Sequence, residues 1–286
     1  FFQAEDGIRD RDVTGVQTCA LPICLPNGED CNFQIARLSG YKYIKPLMYA
    51  ERTCEAPMLT GIKSEVEKVV QSYQLKGIIT SASVYLRLFN KGEWISIGDQ
   101  HKYSPGSLLK VPELITFMKM NEREPGLLDR KLTYDQPLVS DKVPTYTSRS
   151  IELGKSYTIR ELLHYMIAYS DNHATALLNR YMDIPTFKKV FTDLGMPAPD
   201  LSKPEYLISA KDYSLFMKVL YNASYLSNRD SEFCTELLSH CNFKEGLMAG
   251  IPADSQVAHK FGEGGPRDNP HLSESGIVFI NGHTYL

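Results

Sequence analysis

What the sequence lacks narrows it first. No apolar run approaches the length of a bilayer-spanning helix. With 31 Lys and Arg against 34 Asp and Glu, and a formal net charge of -3, neither sign dominates. That balance removes the general electrostatic case for binding nucleic acid or an anionic membrane. The 6 cysteines form no CxxC pair, and neither they nor the 7 histidines have the spacing of a metal site, so no metal and no cofactor is expected. No internal repeat is present. What remains is a chain of 286 residues with a hydrophobic fraction of 43%, enough for the core of one large domain or two small ones.

Residues 1–24 stand apart. They lack a basic start, a continuous apolar segment and any sustained period, and 1–23 resemble the conceptual translation of a sequencing adapter. The segment reads as foreign. Leu21–Cys24 has the outline of a lipoprotein processing box, but no apolar segment precedes it. The remaining cysteines, Cys31, Cys54, Cys234 and Cys241, are expected as buried free thiols. If one helix carries Cys234 and Cys241, about two turns separate them, too far for a disulfide. Residues 25–58 read as an extension packed on the domain, with Tyr41–Pro46 a short extended piece, and 59–286 as the domain itself, helical over about 104–250.

Along that domain, Ile62, Val66, Val69 and Val70 recur at helical spacing over 61–73 and predict a first amphipathic helix. Ser81–Phe89 and Glu93–Ile97 predict two strands joined at Asn90–Gly92. A helix beginning near Ser107 contains Pro112, which predicts a kink. Residues 121–157 are polar and rich in Pro, Tyr and Ser, and read as a surface excursion. Thr158 to Glu161 is a capping box for a helix ending at Tyr169, and a further helix follows Ser170–Asn172. Pro185–Leu194 is closed by Gly195, while Ser209 and Ser231 are expected to cap two later helices. Strands return at Gln256–Phe261, Ser275–Ile280 and from His283, with Asn281-Gly282 a hairpin turn. This plan predicts an α+β fold: an antiparallel sheet built from both chain ends with flanking helices, plus an all-α subdomain.

Three polar groups fall in order on this plan: Ser107-x-x-Lys110, Ser170-Asp171-Asn172 and Lys260-Phe261-Gly262. Positions i and i+3 share a helix face, so Lys110 can lie beside the Ser107 hydroxyl. A lysine shielded from water loses basicity towards neutral pH and can act as a base for a serine nucleophile. The backbone N–H groups of the same turn can stabilise an oxyanion. Asp171 is assigned to holding the turn, and the histidines, including His164 and His173, to surface or packing roles.

The order and placement of these motifs resemble the class A β-lactamase and penicillin-binding protein superfamily of active-site serine hydrolases, over about Leu59–Leu286. The resemblance implies a β-lactamase/transpeptidase-like fold and an acyl-enzyme formed on Ser107 with Lys110 as base. It implies a Ser170 that passes a proton to the leaving nitrogen, and an oxyanion hole from the N–H groups of Ser107 and Glu263. Asn172, Lys260 and Gly262 would bind substrate, a β-lactam or a cell-wall peptide amide. The alternative from another class is a non-hydrolytic module that binds penicillin or wall peptide. The resemblance also implies an extracytoplasmic setting, with no export signal or membrane anchor visible, and family members continue beyond the strand at Leu286 into a further helix.

Two departures stand out. Phe261 occupies the place where the family has Thr or Ser, removing one hydroxyl that would bind a β-lactam carboxylate. The Glu-x-x-Leu-Asn pattern that positions deacylating water is absent, and Glu205, in a Pro-flanked loop, is its one stand-in, expected as a solvated carboxylate.

Overall fold

The computed structural model describes residues 31–137, 146, 148–203, 205–266 and 268–286. The segment 1–24 and residues 138–145 of the polar excursion lie outside these. Strands β3 (Val84–Leu88) and β4 (Glu93–Ile97) form the hairpin expected at Asn90–Gly92. Strands β7 (Gln256–Gly264), β8 (His271–Ile280) and β9 (His283–Tyr285) form an antiparallel meander. Asn281 and Gly282 turn the last hairpin with φ of 50° and 74°, the left-handed pair that matches strand twist. The five strands lie in the order β4-β3-β9-β8-β7, so both halves of the sequence share one sheet and β7 is an edge. The fold is the α+β arrangement that the sequence predicts.

The helical part centres on α2 (Lys110–Arg123), whose residues 110–118 are all buried. A helix enclosed on every side belongs in the middle of a core. Around it lie α3 (Ile159–Ala168), α4 (Asn172–Asn179), α5 (Ile184–Asp193), α6 (Ala210–Tyr221) and α7 (Asn228–Ser239). Phe117, Leu162, Phe191 and Phe216 fill the shared core, each worth roughly 1.5–3 kcal/mol of burial. The Thr158 capping box forms as expected, with Thr158 N–H donating to Glu161 Oε2 and Glu161 N–H donating to Thr158 Oγ1.

Several expectations are corrected. Pro112 breaks nothing: α2 begins at Lys110 after a 3-10 turn over Gly106–Leu109, so Pro112 falls in the first turn, where its missing N–H would have had no partner. Ser227, not Ser231, caps α7, because Ser227 accepts from Asp230 N–H while Ser231 lies buried inside the helix. The described parts of 121–157 are anchored, with β5 (Lys131–Thr133) pairing β6 (Ser156–Thr158) and Leu127, Leu128, Leu132, Tyr134 and Ile151 in the core. Helix α1 (Thr60–Leu75) forms close to its expected span, yet none of its residues is buried, and Ile62 and Val69 are exposed.

The cysteine expectation fails for one pair. Strands β1 (Phe33–Arg37) and β2 (Leu47–Arg52) make a hairpin, with Tyr41–Pro46 in its connecting loop, and a Cys31–Cys54 disulfide closes its open end. Pairing the strands brings the two Cα atoms to 5.4 Å, and that tertiary contact overrides the separation of 23 residues. Cys234 and Cys241 are buried free thiols as expected. The hairpin docks through Glu51, which is buried and accepts from Lys218 Nζ at 2.9 Å and Arg87 Nη1 at 2.8 Å.

Candidate active site

The site forms where the N-terminal end of α2 meets the edge strand β7. Gly106 has φ +51°, and a Cβ there would lie 2.0 Å from Glu263 O and 3.2 Å from Glu263 N. A Cβ on Gly262 would lie 2.2 Å from Pro105 O and 2.8 Å from Leu108 N. The strand therefore runs against the Ser107 turn backbone to backbone, a separation that glycine permits. This places the Glu263 backbone against Gly106, the residue before Ser107. Gly262, expected to face substrate, also has a packing duty. The Tyr213 hydroxyl donates to Leu108 O at 2.8 Å and ties the turn to α6.

The second motif sits between α3 and α4. Ser170 adopts φ 54°, a sparsely populated conformation for a residue with a side chain, of the kind that clusters at functional sites. Asp171 holds the bend, as assigned from the sequence. Its carboxylate accepts from His173 N–H at 3.0 Å, Ser150 Oγ at 2.8 Å and Ile151 N–H at 2.9 Å.

Both lysines converge on Ser170. Lys110 Nζ donates to Ser170 O at 2.7 Å, Ser170 Oγ at 3.2 Å and Asn172 Oδ1 at 2.8 Å. Lys260 Nζ donates to Ser170 Oγ at 2.9 Å and Phe261 O at 2.9 Å. A hydroxyl accepts twice and donates once. With both acceptor sites of Ser170 Oγ taken by ammonium groups, its O–H is left to act as the donor. Ser107 Oγ is not among the acceptors of Lys110, whose three N–H groups are committed elsewhere.

Burial sets the charges. It lowers Lys110 to about 8, against the pull of Glu113 and Asp171, and lowers Lys260 to about 7, helped by the positive charge of Lys110. Burial raises Glu113 to about 7, against the pull of Lys110. Next to Lys260, His259 is buried with Nδ1 2.6 Å from Glu274 Oε1, and Cys241 also acts on its charge. Burial alone would lower His259, but these two neighbours outweigh it and raise it to about 9. The Cys241 thiol is lowered in turn, His259 and Lys260 outweighing burial, although His259 Nε2 finds no partner in hydrogen-bonding geometry.

Ser107, Lys110, Ser170, Asn172, Lys260, Gly262 and Glu263 are thus brought to one place. Glu205 is not: it is exposed, and among the described residues no hydrogen bond or ion pair links it to the cluster. Phe261, the departure singled out in the third motif, stacks on Phe243 with ring centroids 4.2 Å apart. Sequence reasoning missed Glu113 and the His259, Glu274 and Cys241 group. Glu113 had a signal, since 107, 110, 113 and 116 are polar positions spaced by three in an otherwise apolar run.

The family model for the β-lactamase enzyme family matches residues 61–286. Among solved structures, the chain is similar to one described as PBP-A, with a TM-score of 0.62 and 21% identity over 81% of this chain and 86% of that one. A β-lactamase from Chitinophaga pinensis gives 0.65 and 18%, covering 78% and 87%. A class A β-lactamase from Mycobacterium abscessus gives 0.59 and 19%, covering 71% and 82%. At these identities the structures share the fold. A search of curated proteins found no significant match.

Proposed function

The chain belongs to the β-lactamase enzyme family, and from that premise we propose that it is a serine hydrolase acylated on Ser107 by a β-lactam or a cell-wall peptide amide. The observation that carries this reading is the sharing of Ser170 Oγ by Lys110 and Lys260, with Ser107 one turn before Lys110. Lys110, as free amine, takes the Ser107 proton as Oγ attacks the amide carbonyl. The N–H groups of Ser107 and Glu263 receive the oxyanion. Ser170 O–H protonates the leaving nitrogen and is reprotonated by Lys110, so the amine leaves with the Ser170 proton and the one taken from Ser107 ends on Ser170. Lys260 offers positive charge to a substrate carboxylate, and Asn172 an amide to its side chain.

Release of the acyl group needs an activated water. The exposure of Glu205 supports slow deacylation, nearer a penicillin-binding than a rapid β-lactamase reaction. A solved PBP-A mutant is an acyl-enzyme complex with penicillin G, the kind of species this reading expects here. The Cys31–Cys54 disulfide supports an oxidising, extracytoplasmic setting. Among the described residues no helix is long and apolar enough to cross a membrane.

A time course with a fluorescent penicillin tests the reading. Labelling of the wild type that is lost in Ser107→Ala, with an unchanged thermal melt, supports it. Rapid release then means a hydrolase, and a persistent adduct means a penicillin-binding type. Wild-type labelling in Ser107→Ala removes the proposed centre, and no labelling of either chain favours the non-hydrolytic module.

A further inference from the structure

The polar edge of α2 does not stop at Lys110. Ser107, Lys110, Glu113 and Thr116 follow one another at intervals of three, while the positions between them (Leu108, Leu109, Val111, Pro112, Leu114 and Ile115) are apolar. Residues three apart on a helix are neighbours. The row runs from the cleft into the core, where a carboxyl is costly unless it has a partner or a purpose. Glu113 is 8% exposed, and its Oε2 is buried without a hydrogen-bond partner. Asn179, the last residue of α4, lies against the same carboxyl, while Asn172, the first residue of α4, accepts from Lys110. Thr116 does not serve Glu113, because its hydroxyl donates to Pro112 O at 2.7 Å.

Lys110, three residues earlier on the same helix, is the cation whose charge acts on this carboxyl. It forms no close ion pair with it, since its three N–H groups go to Ser170 and Asn172. The coupling between Lys110 and Glu113 is therefore through space, across a medium from which water is excluded and in which charges interact strongly. We propose that Glu113 is a positioning residue for the acylation proposed above: a buried carboxyl on the polar edge of α2 that governs whether Lys110 holds a proton or is free to take one from Ser107. The inference rests on that reading of Ser107 and Lys110.

The sign follows from the groups that face the pair. Against Lys110 stand Glu113 on its own helix, Asp171 from the turn before α4, and Lys260 from β7. The two carboxylates favour the ammonium form, whereas Lys260 and burial oppose it. Burial also favours the protonated form of Glu113, so the acid can be neutral near neutral pH. When Glu113 ionises it holds the proton on Lys110 and restrains the base. When it is protonated, or replaced by a neutral isostere, that restraint goes and Lys110 becomes a free amine at lower pH.

Glu113→Gln in the full chain tests this, because glutamine keeps the volume and can still meet Asn179. The second-order rate of acylation by a fluorescent penicillin is measured from pH 5 to 10. In the wild type it should rise through the Lys110 value of about 8. In Glu113→Gln the midpoint should fall by about 1 unit, raising the rate below both midpoints about tenfold. Glu113→Asp, which retains a carboxylate, should return the midpoint towards the wild type. An unchanged or raised midpoint in Glu113→Gln overturns the proposal, since a merely structural role would change rate or stability without moving the profile.

A substrate-free measurement separates this inference from the proposed function. The 13C shift of Lys110 Cε, followed against pH in lysine-labelled protein, should titrate lower in Glu113→Gln than in the wild type. If no chain is labelled by penicillin but this shift is seen, the acylation reading fails and the Glu113 coupling stands. If Glu113→Gln does not fold, the wild-type 13C shift of the Glu113 carboxyl decides: a carboxyl whose titration is shared with Lys110 Cε supports coupling, and one that titrates independently of it overturns it.

Discussion

Three glycines separate backbone strain from steric closure at the site, and substituting each by alanine predicts three different outcomes. Gly154 has φ +82° with nothing within 4 Å of an added Cβ, so Gly154→Ala reports the conformational cost alone. That cost is about 1–2 kcal/mol for a left-handed residue. Gly262 carries no such conformational demand, but its Cβ would lie 2.2 Å from Pro105 O and 2.8 Å from Leu108 N, both backbone atoms that cannot rotate away. Relieving that clash requires β7 and the Ser107 turn to part, at about 1–3 kcal/mol by the measure of overpacked cores. Gly106 combines both penalties, with φ +51° and Glu263 O at 2.0 Å. Thermal melts should rank the losses as Gly106→Ala greatest, with each kcal/mol shifting the midpoint by about 2–4 °C in a domain of this size. Acylation should rank them differently. Gly154→Ala should react as the wild type does, whereas Gly262→Ala and Gly106→Ala should lose about 100-fold, because they separate the Glu263 N–H from the Ser107 N–H. If Gly262→Ala melts and labels like the wild type, β7 does not contact the turn in the way described. If Gly154→Ala loses labelling too, closeness of strand and turn is not what acylation senses.

Glu51→Gln should destabilise the chain by about 3–5 kcal/mol, because it strands the buried cations of Lys218 and Arg87. The wild-type contribution has a pH signature. Glu51 is buried, which alone would raise it, but Lys218, Tyr85 and Arg87 hold it below its ordinary 4.5. Its stabilising share is thus present above that value and lost as pH falls below it, and acid melts of wild type and Glu51→Gln should converge there. Curves that stay parallel down to the acid limit would refute this linkage. Glu205→Gln should leave the deacylation rate within about twofold of the wild type, because an exposed loop carboxylate outside the cluster has no water to activate at Ser107. A large drop in single-turnover release would give Glu205 the catalytic role denied to it here.

Local chemistry was legible in the sequence because it needs no partner from elsewhere. Thr158 and Glu161 lie three apart and cap α3 by themselves, and Asn281-Gly282 makes its turn from two residues able to adopt positive φ. Ser227 and Ser231 show where that logic reaches its limit. Both precede helical runs, and the choice of Ser227 is made by the apolar face of α7, which draws Ser231 into the core beside Cys234 and Leu238. The Cys31–Cys54 bridge was hidden for a related reason. Two cysteines separated by 23 residues become neighbours when β1 and β2 pair, and the weak alternation of a largely exposed hairpin does not announce that pairing. The motifs themselves were legible as residue types in order, but their chemistry is not contained in them. Lys110 lies 60 residues from Ser170 and Lys260 lies 90 residues from it, so a shared hydroxyl exists only after α2, the α3–α4 junction and β7 have packed. Glu113 was obscured by its surroundings, since a single acid in the apolar first half of α2 reads as one tolerated defect. A carboxyl that water could solvate would make that reading sufficient. One held in the core at the position three after a buried lysine carries an electrostatic cost that the fold retains, and the protonation of Lys110 is the property on which that cost acts.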